Sequence, residues 1–147
     1  MKLIILCCIA TLSFAGDVFA SCPDISGSYQ SGDQIFVGYE QTDCQFLKRY
    51  YGNIVADGSV SYSFDKQFKN GNAVCSKSGA CETVKFTQDA VVFELNFNGG
   101  VLTDDHGHCS HRKYSLSKDT GGNLAAVFSV FACKDGFKGE ARKVFLK

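Results

Sequence analysis

Three pairs of cysteines, each straddling a turn signal, constrain this chain more than any other feature of it. Cys22 and Cys44 have their midpoint at Asp33, inside Ser31-Gly32-Asp33. Cys75 and Cys81 flank Ser78-Gly79, and Cys109 and Cys133 are centred on Gly121, inside Asp119-Thr120-Gly121-Gly122-Asn123. Gly and Asp supply the backbone geometry of tight turns, so each segment folds back as a β-hairpin that sets its two cysteines opposite one another. Six cysteines allow fifteen connectivities, and the sequential one alone places a turn at every midpoint. The expected bridges are Cys22–Cys44, Cys75–Cys81 and Cys109–Cys133. The third register also pairs Tyr114 with Phe128 and Leu116 with Ala126 across the strands. No C-x-x-C occurs, so the cysteines read as staples rather than redox groups.

Between the turns the side chains alternate with a period of two. Val60, Tyr62 and Phe64 alternate with serines, Val91, Phe93, Leu95 and Phe97 with mostly polar residues, and Tyr114 and Leu116 with Lys113, Ser115 and Ser117. Strands with one apolar and one polar face belong to antiparallel sheets. No window holds three turns of helical periodicity. The expectation is a single all-β domain of about eight to ten strands, an antiparallel β-barrel or, as the alternative, a β-sandwich.

The first twenty residues read as a signal peptide: Met1-Lys2, an apolar run from Leu3 to Ala15, then Val18-Phe19-Ala20 with small residues at the cleavage positions. Residues 1–20 are then the leader and 21–147 the domain. Removing the leader takes away Cys7 and Cys8 and leaves six cysteines. Lipidation of Cys22 is the rival reading, but Phe19 suits it poorly and it would strand one of the other five cysteines. Paired cysteines behind a leader place the protein in an oxidising compartment, secreted or periplasmic. Fifteen basic and fifteen acidic residues cancel, so no basic surface points to nucleic acid, and no later run is long enough to span a membrane. Oligomeric state is not legible.

All three histidines fall within Thr103-Asp104-Asp105-His106-Gly107-His108-Cys109-Ser110-His111. Were the segment one extended strand, Asp104, His106 and His108 would share a face and offer an oxygen and two imidazole nitrogens to Zn²⁺ or Cu²⁺. The bland alternative is a solvated hairpin end. Apart from this metal, no cofactor is implied. Enzyme signatures are missing: there is no G-x-S-x-G, no H-E-x-x-H and no phosphate-binding glycine loop. Phe46, Tyr50 and Tyr51 form a second group, either core and rim or aromatic side chains available at a barrel mouth.

Gly27-Ser28-Tyr29 near the start and Arg142 in the last alternating segment resemble the calycins, the lipocalin and fatty-acid-binding β-barrels. These carry G-x-W on the first strand and an arginine on the last that packs over the tryptophan. Thr103-Asp104 is similar to the start of the lipocalin T-D-Y motif, with Asp105 where the Tyr would be; the chain has no Trp at all. The resemblance implies a barrel closed by its first and last strands, Gly27, Tyr29 and Arg142 at the closure, and an internal ligand cavity. The functional expectation is the binding of a small apolar or amphipathic ligand. Two alternatives stay open: a metal-binding protein working through the Asp104–His111 cluster, and a structural or partner-binding module without a small ligand.

Overall fold

A computed structural model describes residues 21–32, 35–97, 103–104, 107–133 and 138–147; of 103–104, 107–109 and 130–133 it describes the backbone alone. The described residues contain eleven strands and no helix: β1 (Gly27–Ser31), β2 (Ile35–Thr42), β3 (Phe46–Ile54), β4 (Val60–Lys69), β5 (Ala73–Cys75), β6 (Ala80–Phe86), β7 (Val91–Phe97), β8 (Thr103–Asp104), β9 (Gly107–Lys118), β10 (Leu124–Cys133) and β11 (Gly139–Phe145). All neighbours pair antiparallel. β1 to β4 form one sheet in chain order, and the second runs β11-β10-β9-β7-β6-β5, with β8 attached to β9.

The hairpin registers follow the cysteine midpoints. Gly27 pairs with Tyr39 and Tyr29 with Val37, Cys75 with Cys81, Tyr114 with Phe128, Leu116 with Ala126 and Cys109 with Cys133. Disulfides join Cys22 to Cys44 and Cys75 to Cys81. Cys109 and Cys133 face each other in backbone register, and their side chains lie outside the description. Turn chemistry agrees with the sequence. Asp119 Oδ1 accepts the N–H groups of Gly121 at 2.9 Å and Asn123 at 2.8 Å, and Gly122 takes a φ of 80° that only glycine adopts easily.

The two sheets wrap a shared core. Tyr29, Tyr39, Leu47 and Phe68 come from the first, and Val84, Val91, Phe93, Leu116, Leu124 and Phe145 from the second. Phe93 is central, edge-on to Phe68 with ring centroids 5.7 Å apart and tilted against Tyr39 at 6.1 Å. One seam between the sheets is sealed by the isolated pair Gln30 and Leu146, which brings the first strand beside the last. At the other seam β4 approaches β5 and β6 without forming a ladder.

One irregularity re-aims side chains. Between β3 and β4 the register shifts at Arg49/Tyr50: Arg49 pairs with Lys66 but Tyr50 with Phe64, leaving Asp65 as the extra residue of a bulge. The bulge inverts the parity of β4. Phe68 is buried in the core, whereas Tyr62 and Phe64 lie on the outer face, Phe64 58 % exposed and edge-on to Tyr50. The alternation Val60, Tyr62, Phe64 is therefore not a core stripe.

Candidate functional site

Strand alternation places Leu47, Arg49 and Tyr51 on the inner face of β3, so Arg49 is a charge on an otherwise apolar stripe. Its guanidinium is fully engaged. Nη1 and Nη2 donate to the two carboxylate oxygens of Glu82 at 2.6 and 2.8 Å, Nε donates to Asp65 at 2.7 Å, and Nη1 also reaches the Tyr114 hydroxyl at 2.7 Å. Tyr114 in turn donates to Glu82 at 3.0 Å, and Lys66 Nζ donates to the same carboxylate at 3.2 Å. The Arg49 and Glu82 side chains are only 5 % and 4 % exposed, and the Arg49 guanidinium carbon lies between 5.2 and 5.7 Å from the rings of Tyr51, Phe68 and Phe93. It is the Asp65 bulge that turns a second carboxylate toward this arginine.

The electrostatics follow from the geometry. Burial alone would raise the Glu82 carboxyl, but the hydrogen bonds and charge of Arg49, with Lys66 behind them, hold it below the usual carboxylate range. Burial likewise opposes the charge on Arg49, and Glu82 more than restores it. The Tyr114 phenol is driven well above its ordinary value by burial and stays a neutral donor.

Beside this cluster lies a cavity of about 480 Å³. Its charged wall is Arg49, Asp65, Lys66 and Glu82, with Arg112 and Lys113 from β9; its apolar wall is Leu95, Phe97, Tyr114 and Phe128. Tyr114 stacks on Phe93 at 4.4 Å with the planes 8° apart, and Phe128 continues the stack at 5.7 Å, so aromatic packing runs from the core into the cavity. One polar wall and one aromatic wall suit an amphipathic occupant.

Compared with solved structures, the chain is similar to a mutant of the fluorescent protein UnaG, with a TM-score of 0.50 and 12 % identity over 77 % of this chain and 70 % of that one. The fold is calycin-like. The likeness is one of architecture alone: antiparallel strands in two sheets around a shared core. No family model and no curated protein matches the sequence.

Within this calycin-like barrel the expected closure residues separate. Tyr29 is buried against Tyr39, its hydroxyl donating to the Ile25 carbonyl at 3.0 Å, with that of Ser26 at 3.2 Å. Gly27, at a φ of 143°, lies directly under the ring, where a Cβ would stand 3.1 Å from the Tyr29 hydroxyl. Arg142 does not cover Tyr29. It pairs with Val127, and its side chain is 83 % exposed beside Glu140. Parity is the reason: Arg142 is three residues from the buried Phe145 and so points to the opposite face. A lysine meets the first strand's approach instead: Lys118 Nζ donates to the Ser26 carbonyl at 3.1 Å.

His106 lies outside the described residues, and of Asp104 and His108 the backbone alone is described. Asp104 pairs with Gly107 and Thr103 with His108 across a hairpin, so Asp104 and His108 belong to opposite strands and the single-strand alternation does not hold. Among the described residues no cluster of three metal-ligating side chains occurs. Of the aromatic group, Tyr51 lines the cavity. Tyr50 is on the outer face, donating to Glu40 at 2.9 Å, and Phe46 borders a smaller outer hollow of about 270 Å³. Arg49 and Glu82 match no sequence motif, yet each shares a strand face with a core residue, Leu47 and Val84, and a charge on an apolar face is the one signal the sequence carries for them.

Proposed function

We propose that the protein binds one small amphipathic ligand, with its apolar part against Leu95, Phe97 and Phe128 and its negatively charged group toward the basic side chains at the other wall. The cavity carries this reading. Its volume of about 480 Å³ falls within the roughly 300–1,000 Å³ of small-molecule sites. Four basic residues line it against two carboxylates, and Arg49 is already matched by Glu82 and Asp65. The leader sequence and the disulfides support action in an oxidising compartment, secreted or periplasmic. Native mass spectrometry of protein from its own source tests the reading: a bound anionic amphipath is expected, and it should be lost in Leu95→Trp, which fills the cavity. A wild-type protein that stays empty and binds no amphipath would defeat it.

A second reading, partner binding, is supported by the outer face of β2 to β4. Phe46, Ile54, Tyr62 and Phe64 are all exposed there, more apolar surface than a solvated sheet needs. An environment-sensitive apolar dye separates the two: Leu95→Trp displaces it from the cavity, Tyr62→Ser/Phe64→Ser from the outer face.

A further inference from the structure

The barrel is sealed on one side and held differently on the other. At the sealed seam Gln30 and Leu146 exchange two backbone hydrogen bonds of 2.7 Å. At the opposite seam no ladder joins β4 to β5 or β6 among the described residues. Hydrogen bonds hold one end, where Gly71 N–H donates to the Val84 carbonyl at 2.8 Å and Phe86 N–H to the Asn70 side-chain Oδ1 at 3.3 Å. Farther along, side chains span the gap: Lys66 on Glu82 at 3.2 Å, and behind it Arg49 on both Glu82 oxygens. The cavity is lined from both sides of this gap, by Asp65 and Lys66 and by Ser76, Ala80 and Glu82.

We propose that the gap between β4 and the β5–β6 hairpin is the entrance to the cavity for amphipathic anions, and that the Lys66–Glu82 pair is its latch. The proposal rests on the cavity being the binding site. β6 cannot yield, because it pairs with β7 along its whole length, and Cys75–Cys81 ties β5 to β6. What yields is β4, an edge strand whose one ladder is interrupted by the bulge beside Lys66. The inner pair, Arg49 and Glu82, is buried, whereas the Lys66 side chain is 29 % exposed and is the partner that can be exchanged. When Lys66 leaves, Glu82 keeps Arg49 and Tyr114. An arriving sulfonate, carboxylate or phosphate can take up the Lys66 ammonium in place of Glu82, so the latch opens most readily for ligands that carry a negative charge.

Stopped-flow binding of anilinonaphthalene sulfonate tests this. In Lys66→Met the association and dissociation rates should both rise, by about 1.5- to 5-fold, the factor a partly exposed ion pair is worth. Rates unchanged, or faster dissociation with unaltered association, would overturn the latch; the latter would make Lys66 only an anion contact. Hydrogen exchange on the wild-type protein gives a second measure: amides at Lys66–Phe68 should exchange faster than those of Gln30 and Leu146, and slow when the dye is bound. Equal protection at the two seams would also overturn it. Should Leu95→Trp leave dye affinity untouched, the cavity reading fails and the entrance with it. Cavity binding with unaltered rates removes the entrance alone.

Discussion

A methyl group at Gly52 has nowhere to go. A Cβ there would stand 2.7 Å from both Phe36 Cβ and Val60 Cγ1, and neither is the free end of a flexible side chain. Gly52→Ala should therefore cost about 1–3 kcal/mol through overpacking, read as a lower denaturant midpoint at unchanged slope. Arg49 offers the opposite case, a residue whose loss leaves its partner stranded. Arg49→Met leaves Glu82 buried with Lys66 and Tyr114 only, and the expected loss is about 3–5 kcal/mol. Adding Glu82→Leu should restore most of it, because an apolar pair of similar volume has no buried charge to solvate. A double variant no more stable than the single one would show that the cluster does not act as a charge pair.

The hairpins differ in what their staples contribute. Cys22–Cys44 spans 22 residues and Cys75–Cys81 only 6; by chain entropy the first is worth about 3.4 kcal/mol and the second about 2.2. Replacing each pair by serine and comparing thermal midpoints should show the larger drop for Cys22–Cys44. These local elements are what the sequence made legible, because a turn and its flanking alternation are written within a few residues of one another. Tyr29 opposite Val37 and Tyr114 opposite Phe128 needed no tertiary information. The Asp65 bulge did, since nothing in Tyr62-Ser63-Phe64-Asp65 marks where parity changes; it also hid which face Phe64 takes. Arg49 and Glu82 escaped for a related reason: they meet across two sheets, and no local pattern records a partner so distant in sequence. Arg142 was misplaced because the resemblance supplied a residue type without its strand parity.

At the scale of the whole barrel, buried ionisable groups make stability depend on pH from both ends. Glu82 is held below its unfolded value of 4.5, so its contribution is complete above about that pH and is lost as pH falls through the lower folded value. Tyr29 is raised by burial from 10.0 to about 12, so its contribution is complete below pH 10 and fades as pH climbs toward 12. Denaturant titrations across pH should show a plateau at neutrality with losses at both extremes, and Glu82→Gln should flatten the acid limb. An unaltered acid limb in that variant would assign acid lability to other carboxylates.

The unzipped seam also bears on how such molecules behave in company. Two strands that decline to pair with each other leave their hydrogen-bonding groups open to a stranger, the usual start of aggregation. Both sides are blunted here. β5 is three residues long and bolted to its neighbour by Cys75–Cys81, and β4 carries Lys66, Lys69 and a kink at Asp65. Deleting Asp65 would straighten β4 into a flat template and strip Arg49 of a counter-ion in the same stroke, and that shortened chain should form thioflavin-positive fibrils under conditions in which the parent stays monodisperse.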